Sequence, residues 1–328
     1  MKPRDLAIVA AVILLGGFAV ADALRSGGED SSAPATQSVP ERRDGPEPQA
    51  DAPEEWPAGR LRGTLVFTDA RDCRVRVIGL GGGRERPTGE LFGSCVLWAA
   101  PIGQRIAYGT GGARGSAGES FTIVDLRRAG IELGTFQKLA GDVLWSPDAQ
   151  RVAWCTVNGA GQEFAIGDQR PRTLARCPVA YAPDGRLMFV FGRRLVSGGR
   201  TILTERRPIT QVHWGDDGSL LVVLGGGLAR RYEKGEVHSI DLFTDSELEP
   251  SPDNCGVSYF DAGRIRVDGF ECFGSSVPIE FIGLDAALSS DGRWVAVAAP
   301  DRIEFHQIIG GDERIVWPAR ARELSWRG

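Results

Sequence analysis

The chain has 328 residues, of which 42% are hydrophobic and 25% charged, with a formal net charge of -5. These values are ordinary for a globular protein, so they exclude a wholly disordered chain, and the length allows one large domain or two to three small ones. The 44 glycines follow no Gly-x-y period, which excludes a collagen-like rod.

The N-terminus predicts export from the cytoplasm. Lys2 and Arg4 precede an uncharged apolar run over residues 6–21. This run favours a signal anchor over residues 1–25, a transmembrane helix with its positive end inside and the bulk of the chain outside. The alternative is a signal peptide cleaved at residues 21–23, which would leave a secreted or periplasmic protein.

Residues 26–57 predict a disordered tether. They are rich in proline and contain eight acidic and two basic residues, which give a net charge of -6. Such a segment buries too little apolar surface to offset its chain entropy. The rest of the chain, residues 58–328, has 33 basic and 33 acidic residues. A nucleic-acid-binding domain would show a basic excess, so no nucleic-acid partner is expected.

One pattern recurs beyond the tether: a short apolar strand that ends near an aromatic residue, a turn with Asp, and a second apolar strand. The copies align at positions 98, 145, 181, 214, 250, 288 and 326, which are 33 to 47 residues apart. This period indicates a solenoid or a propeller, and short β-branched and aromatic runs favour strands over helices. Four strands per copy predict an all-β chain, a β-propeller with four-stranded antiparallel blades.

The repeat resembles that of the TolB-type β-propellers, a WD-repeat-like pattern that reads roughly Trp-Ser-Pro-Asp-Gly before a strand. Trp145–Asp148, Ala182–Gly185, Ser251–Asp253 and Ser290–Gly292 carry the resemblance, which covers about residues 60–328. The copies at 99–103 and 215–218 depart from it. The resemblance implies the propeller architecture and, by analogy, protein or cell-envelope partners.

The C-terminus predicts how the ring closes. Residues 63–88 supply three strands with no first strand before them, and residues 323–326 are the opening of one more copy. Pairing these segments would close a seven-bladed propeller and remove an open sheet edge. Six blades remain the alternative if the weakest copy, around residues 246–282, is not a full blade.

The six cysteines predict three disulfides, because the chain is expected to be exported. Fifteen connectivities are possible, and the blade register narrows them. In a four-stranded blade, the turn between the second and third strands and the link to the next blade lie on one face. Cys73 and Cys95 lie on this face, as do Cys155 and Cys177 at the same 22-residue separation, and Cys255 and Cys272 face alike within one blade. We therefore predict the pairs Cys73–Cys95, Cys155–Cys177 and Cys255–Cys272.

The aspartates of the repeat predict a structural role rather than a ligand-binding one. An Asp side chain in a turn accepts backbone N–H groups of the following residues. We expect this role for Asp148, Asp184, Asp217, Asp253 and Asp291.

No catalytic, metal-binding or cofactor-binding residue is assigned from the sequence. It contains no Gly-x-Ser-x-Gly nucleophile elbow, no phosphate-binding loop and no Cys-x-x-Cys pair. The longest interval between copies carries an insertion at residues 110–120, where Arg114 and Glu119 are candidate binding residues. A tolerated insertion without a binding role is favoured over this interpretation.

The function predicted from these features is that of a membrane-tethered, extracytoplasmic propeller that binds a protein or an envelope component without catalysis. The alternative is a propeller hydrolase or lyase that acts on a glycan or peptide at the central channel. The sequence leaves the oligomeric state open.

Overall fold

The computed structural model describes residues 56, 59–86, 88, 95–109, 119–128, 130–242, 248–270, 272 and 279–327. The segment expected to form the anchor, nearly all of the expected tether, and Arg114 lie outside these ranges. Within the described part of the chain, no helix is both long enough and apolar enough to cross a membrane.

The described residues form 27 β-strands and one short 3-10 helix, Leu126–Arg128. The first fourteen strands are β1 (Thr64–Asp69), β2 (Val75–Gly79), β3 (Arg84–Arg86), β4 (Leu97–Ala99), β5 (Arg105–Gly109), β6 (Glu119–Asp125), β7 (Ile131–Trp145), β8 (Arg151–Thr156), β9 (Gly161–Ala165), β10 (Arg172–Leu174), β11 (Ala180–Tyr181), β12 (Leu187–Phe191), β13 (Arg194–Ser197) and β14 (Arg200–Thr204). The others are β15 (Ile209–Trp214), β16 (Leu220–Leu224), β17 (Leu228–Glu233), β18 (Glu236–Asp241), β19 (Leu248–Pro250), β20 (Gly256–Asp261), β21 (Arg264–Gly269), β22 (Ile279–Phe281), β23 (Ala286–Leu288), β24 (Trp294–Ala298), β25 (Ile303–Gln307), β26 (Arg314–Trp317) and β27 (Ala321–Arg327).

These strands form antiparallel meanders of four. Five sheets have four strands each, in the orders β27-β1-β2-β3, β11 to β14, β15 to β18, β19 to β22 and β23 to β26. A sixth sheet has seven strands and contains two meanders, β4 to β7 and β7 to β10, which share the long strand β7. We number the meanders 1 to 7, beginning with β27-β1-β2-β3, and call the strands of each a, b, c and d in that order.

Strand β1 is buried on both faces of its sheet, and its successive side chains point to opposite sides. In β1, Leu65 and Phe67 pack into one apolar cluster with Phe305 of meander 7. Val66, between them, packs into another cluster with Ile106 of meander 2. The sheets therefore stack face to face, and the core lies between neighbouring meanders.

The last strand of the chain completes the first sheet. β27 pairs with β1 in an antiparallel register that runs from Thr64 opposite Arg327 to Asp69 opposite Ala321. Leu324 and Trp326 of β27 are 5% and 6% exposed, and both belong to the cluster between meanders 7 and 1. The C-terminal strand thus joins the N-terminal sheet, as the sequence predicts.

The order of the strands assigns the connections to two faces. Because the strands alternate in direction, the a–b and c–d turns lie at one end of each meander, which we call the a–b face. The b–c turns and the links from strand d to the next meander lie at the other end, the b–c face.

Three disulfides cross-link these connections: Cys73–Cys95, Cys155–Cys177 and Cys255–Cys272. They are the pairs that the blade register selects. The first two join neighbouring meanders on the b–c face, and the third lies within meander 6 on the a–b face.

Candidate functional site

A cavity of about 900 Å³ is lined by the first strand of every meander. The strands that contribute are β4, β7, β11, β15, β19, β23 and β27. No other strand position is shared in this way by all seven meanders. The a strands of all seven meanders therefore contribute to one concave site, which we call the channel.

The aligned repeat positions all lie in the wall of this channel: Trp98, Trp145, Tyr181, Trp214, Pro250, Leu288 and Trp326. Their polar atoms bond to neighbouring elements. The Trp145 indole N–H donates to the Trp98 carbonyl at 3.1 Å, and the Trp326 indole N–H donates to the Arg62 carbonyl at 2.9 Å. The repeat tryptophans thus hold adjacent parts of the wall together.

A second set of wall contacts was not found from the sequence. Acidic or amide side chains three residues before the aligned position accept backbone N–H groups from the next a strand. These bonds are Leu97 N–H to Glu323 (2.8 Å), Leu248 N–H to Gln211 (3.0 Å) and Leu324 N–H to Asp285 (2.6 Å). Asp142, at the same position in meander 3, instead accepts the Trp98 indole N–H at 2.8 Å.

The signal for these contacts is present in the repeat. Five of the seven copies carry Asp, Glu or Gln at this position: Asp142, Gln211, Glu247, Asp285 and Glu323. The other two copies carry Cys95 and Pro178. Cys95 is a member of the disulfide that joins meander 2 to meander 1.

The mouth of the channel on the a–b face carries a group of apolar side chains. Pro101, Pro147, Pro183 and Pro252 come from four different a–b turns and line the cavity. Ile102 lines it as well and is 56% exposed. An exposed apolar rim around a concave site favours contact with another molecule.

The same mouth carries an uncompensated acidic group, Asp216. It lies in the a–b turn of meander 5 and lines the cavity. Burial raises the pKa of its carboxyl above the ordinary value, and the charges of Asp217 and Asp253 raise it further. The carboxylate therefore stabilises a cationic group at this position more readily than an anionic one.

A buried cation, Arg327 of β27, also lines the cavity. Its residue is 8% exposed, and burial lowers the pKa of its guanidinium to about 9. Nη1 donates to the Arg105 carbonyl at 3.3 Å, whereas Nε and Nη2 have no hydrogen-bond partner among the described residues. Burying a guanidinium without partners for two of its nitrogen atoms costs free energy, so Arg327 destabilises this part of the wall.

Comparison with solved structures concerns the whole arrangement of meanders. A chain of the mitotic checkpoint complex aligns with a TM-score of 0.51 and 16% identity, covering 85% of this chain and 99% of that one. The β-propeller domain of Cps50 (Swd1) from Myceliophteria thermophila aligns with a TM-score of 0.48 and 12% identity, covering 70% of this chain and 88% of that one. TolB from Acinetobacter baumannii aligns with a TM-score of 0.44 and 14% identity, covering 80% of this chain and 66% of that one. The fold is a β-propeller.

At these identities, the similarity to the propellers concerns the fold alone. No protein-family profile matches the chain, and no curated protein matches it. The chemistry of this propeller therefore has to be read from its own residues.

The five turn aspartates of the propeller bond to the backbone two residues ahead. The acceptor and donor pairs are Asp148 with Gln150 N–H (3.1 Å), Asp184 with Arg186 N–H (3.0 Å), Asp217 with Ser219 N–H (2.9 Å), Asp253 with Cys255 N–H (3.0 Å) and Asp291 with Arg293 N–H (3.1 Å). In three turns the serine two residues before the aspartate donates to it as well. These side chains shape the turns.

Glu119 does not lie on an exposed loop, contrary to its interpretation as a loop candidate. It begins strand β6, pairs opposite Leu139 of β7 and is 6% exposed. The strand starts earlier than expected because β7 is long enough to pair with it there. Arg114, its companion candidate, lies outside the described residues.

The three histidines lie on three different strands, β15, β18 and β25. His213 of β15 lines the channel. His306 contacts Glu304 with 2.9 Å between Nε2 and Oε2, and burial lowers its pKa. These placements separate the imidazoles, and only His213 belongs to the candidate site.

Proposed function

We propose that the chain is a closed seven-bladed propeller that binds a segment of another protein at its channel, without catalysis of its own. The observation that carries this proposal is the channel, to which the first strand of each of the seven meanders contributes. The pairing of β27 with β1 supports closure, since it leaves the first sheet without a missing strand.

We also propose that the propeller is held at a membrane on the extracytoplasmic side. The apolar run over residues 6–21 and the acidic, proline-rich residues 26–57 support an anchor followed by a tether. Three disulfides fit an oxidising compartment. Cleavage after the apolar run, with release of the propeller, is the alternative form of the same proposal.

The composition of the channel wall supports binding rather than chemistry. Three acidic residues line it, Asp142, Asp216 and Glu249. Asp142 is engaged by the Trp98 indole, and Asp216 stands at the apolar mouth. Four prolines and one exposed isoleucine form the apolar part of the rim, which suits the side chains of an extended protein segment. One similar propeller-like chain belongs to a multi-protein complex, which agrees with a protein partner.

Site-specific photocrosslinking tests the proposal. A benzophenone amino acid is placed at Ile102 of the full chain in its native envelope. The matched control carries it at Val316, which is 37% exposed on the outer strand β26 and does not line the channel. We expect a discrete adduct of higher mass from position 102 only.

Two results would contradict this proposal. Equal adducts from both positions would show that the channel mouth is not a preferred contact surface. Turnover of a glycan or peptide substrate that Asp216→Asn or Glu249→Gln abolishes would favour the hydrolase alternative.

A further inference from the structure

Residues 58–328 have no net charge, but they contain one strongly basic region. Residues 170–207 contain nine arginines and two acidic residues, a net charge of +7, so the rest of 58–328 carries -7. The nine are Arg170, Arg172, Arg176, Arg186, Arg193, Arg194, Arg200, Arg206 and Arg207. This region comprises meander 4 and the segments directly before and after it.

Five of these arginines meet on the b–c face, and we call them the arginine face: Arg176, Arg193, Arg194, Arg206 and Arg207. The b–c turn of meander 4 carries Arg193 and Arg194, and the link to meander 5 carries Arg206 and Arg207. Arg176 lies in the link that leads into meander 4. All five are exposed.

Backbone contacts fix these segments side by side. The Glu205 N–H donates to the Arg193 carbonyl at 2.8 Å, and Arg193 Nη1 donates to the Arg206 carbonyl at 3.4 Å. Arg176 stacks over the ring of Phe191, with 4.6 Å between its guanidinium carbon and the ring centroid. The Phe191 ring adjoins the b–c turn, so the fifth guanidinium belongs to the same surface.

No carboxylate of the described residues forms an ion pair with any of the five. Glu205, the acidic residue nearest to them in sequence, is 6% exposed, and its carboxylate is engaged by other groups. Arg230 Nη1 lies 2.7 Å from its Oε2 and the Tyr232 hydroxyl donates to its Oε1, while the Arg206 backbone N–H donates to Oε2 at 3.3 Å. By contrast, Arg172 and Arg186 of the same basic region pair with Glu163 and Asp184. The positive charge of the arginine face is therefore uncompensated.

The turns on either side of the arginine face carry no charge. One is the b–c turn of meander 3, residues 156–160, where Val157 is 47% exposed. The other is the b–c turn of meander 5, residues 225–227, whose Gly226 carbonyl accepts a hydrogen bond from Arg207 Nη1 at 3.4 Å. The face is thus a compact cationic patch between two uncharged turns.

We infer that the arginine face is a second docking surface, which binds an Asp- and Glu-rich segment of a partner protein. Guanidinium groups bind carboxylates through two parallel hydrogen bonds. A long polyanion such as a nucleic acid, or an anionic bilayer, would extend beyond the patch and meet a domain that carries -7 elsewhere. A short acidic segment fits the patch alone. This surface lies at the opposite end of the meanders from the apolar mouth, so it goes beyond the proposed function.

Fluorescence anisotropy of the full chain in neutral detergent tests the inference. The probe is a labelled dodecapeptide of alternating Glu and Gly. The variant Arg194→Gln/Arg206→Gln removes two side chains that make no hydrogen bond, so folding is retained. The control Arg170→Gln/Arg200→Gln removes the same charge from two exposed, unpaired arginines near c–d turns on the a–b face.

We expect the first variant to weaken peptide binding about tenfold at ~0.1 M salt, and the control to change it less than about twofold. Absence of binding by the unaltered chain, or equal losses in both variants, would overturn the inference. Tighter binding of single-stranded DNA or of vesicles with anionic lipid than of the peptide would overturn the assigned partner class. The crosslink at position 102 is expected to persist in the first variant, so the two proposals fail separately.

Discussion

The negative charge of Asp216 is destabilised by the residues around it. Its backbone N–H donates to the Pro252 carbonyl at 2.6 Å, which holds the turn of meander 5 against that of meander 6. This contact brings its carboxyl near Asp217 and Asp253, and together with burial they raise its pKa. Because ionisation is disfavoured in the folded state, Asp216 lowers the stability of the propeller at neutral pH.

We predict that Asp216→Asn raises the melting temperature at pH 7. The folded pKa lies above the unfolded value of 3.8, so the wild type loses stability as the pH rises through the interval between them. Below pH ~3 the Asp216 carboxyl is protonated in both the folded and the unfolded state, so the gain in melting temperature is expected to vanish. Thermal unfolding of both chains at pH 7 and pH 3 measures the difference.

Asp184→Asn provides a control of opposite sign. The Arg186 side chain bonds to Asp184 and lowers its pKa, so its stabilisation is present above pH ~3.8 and is lost as the pH falls through the folded pKa. This variant is expected to melt lower than the wild type at pH 7. A lower melting temperature of Asp216→Asn at pH 7 would contradict the assignment of repulsion to Asp216.

At the scale of elements, the turns and disulfides were accessible to sequence reasoning, since local residues determine them. In the turn that begins at Ser146, the Ser146 hydroxyl and the Gln150 backbone N–H both donate to the Asp148 carboxylate. The residue types that form these short-range bonds can be recognised directly in the sequence. The wall contacts of Glu323 and Asp285 join residues 226 and 39 positions away. Their identification needs the spacing of adjacent meanders, which a single repeat does not contain.

Strand β7 illustrates the same limit. The sequence predicts two strands separated by a link, whereas one strand of 15 residues continues from meander 2 into meander 3. Lys138 and Gly141 have positive φ values of 64° and 90°, and the pairing register with β8 shifts between Leu139 and Val143. The link thus remains extended while it bends, which a periodic pattern does not reveal.

One prediction concerns β27, the strand that completes the first sheet. We expect deletion of residues 323–328 to lower the melting temperature strongly, because it removes the buried Leu324 and Trp326 and most of the pairing with β1. Loss of one buried Trp alone costs ~3–5 kcal/mol. Calorimetry of the shortened chain, with deletion of Gly328 alone as control, measures the effect. An unchanged transition would exclude β27 as the closing strand.

At the scale of the whole molecule, Trp56 lies at the seam between the last and the first meanders. The sequence assigns Trp56 to the disordered tether, yet its ring packs edge-on against Phe305 and Trp317 of meander 7, at 5.7 and 5.2 Å between centroids. Its indole N–H donates to the Leu80 carbonyl of meander 1 at 2.8 Å. One apolar residue in a polar segment is a weak sequence signal, because the pocket that receives it comes from the two ends of the fold.

Gly83 makes this attachment possible and permits its test. A Cβ atom at Gly83, where φ is +57°, would lie 2.5 Å from the Trp56 ring, whereas a Cβ at Gly82 would meet nothing within 4 Å. We predict that Gly83→Ala lowers the free energy of unfolding by ~1–3 kcal/mol, through backbone strain and displacement of Trp56, and that Gly82→Ala changes it little. Denaturant unfolding of both variants measures this. In the Trp56→Ala background only the backbone strain remains, so Gly83→Ala is expected to cost less there. An equal cost in both backgrounds would show that Trp56 is not held at the seam.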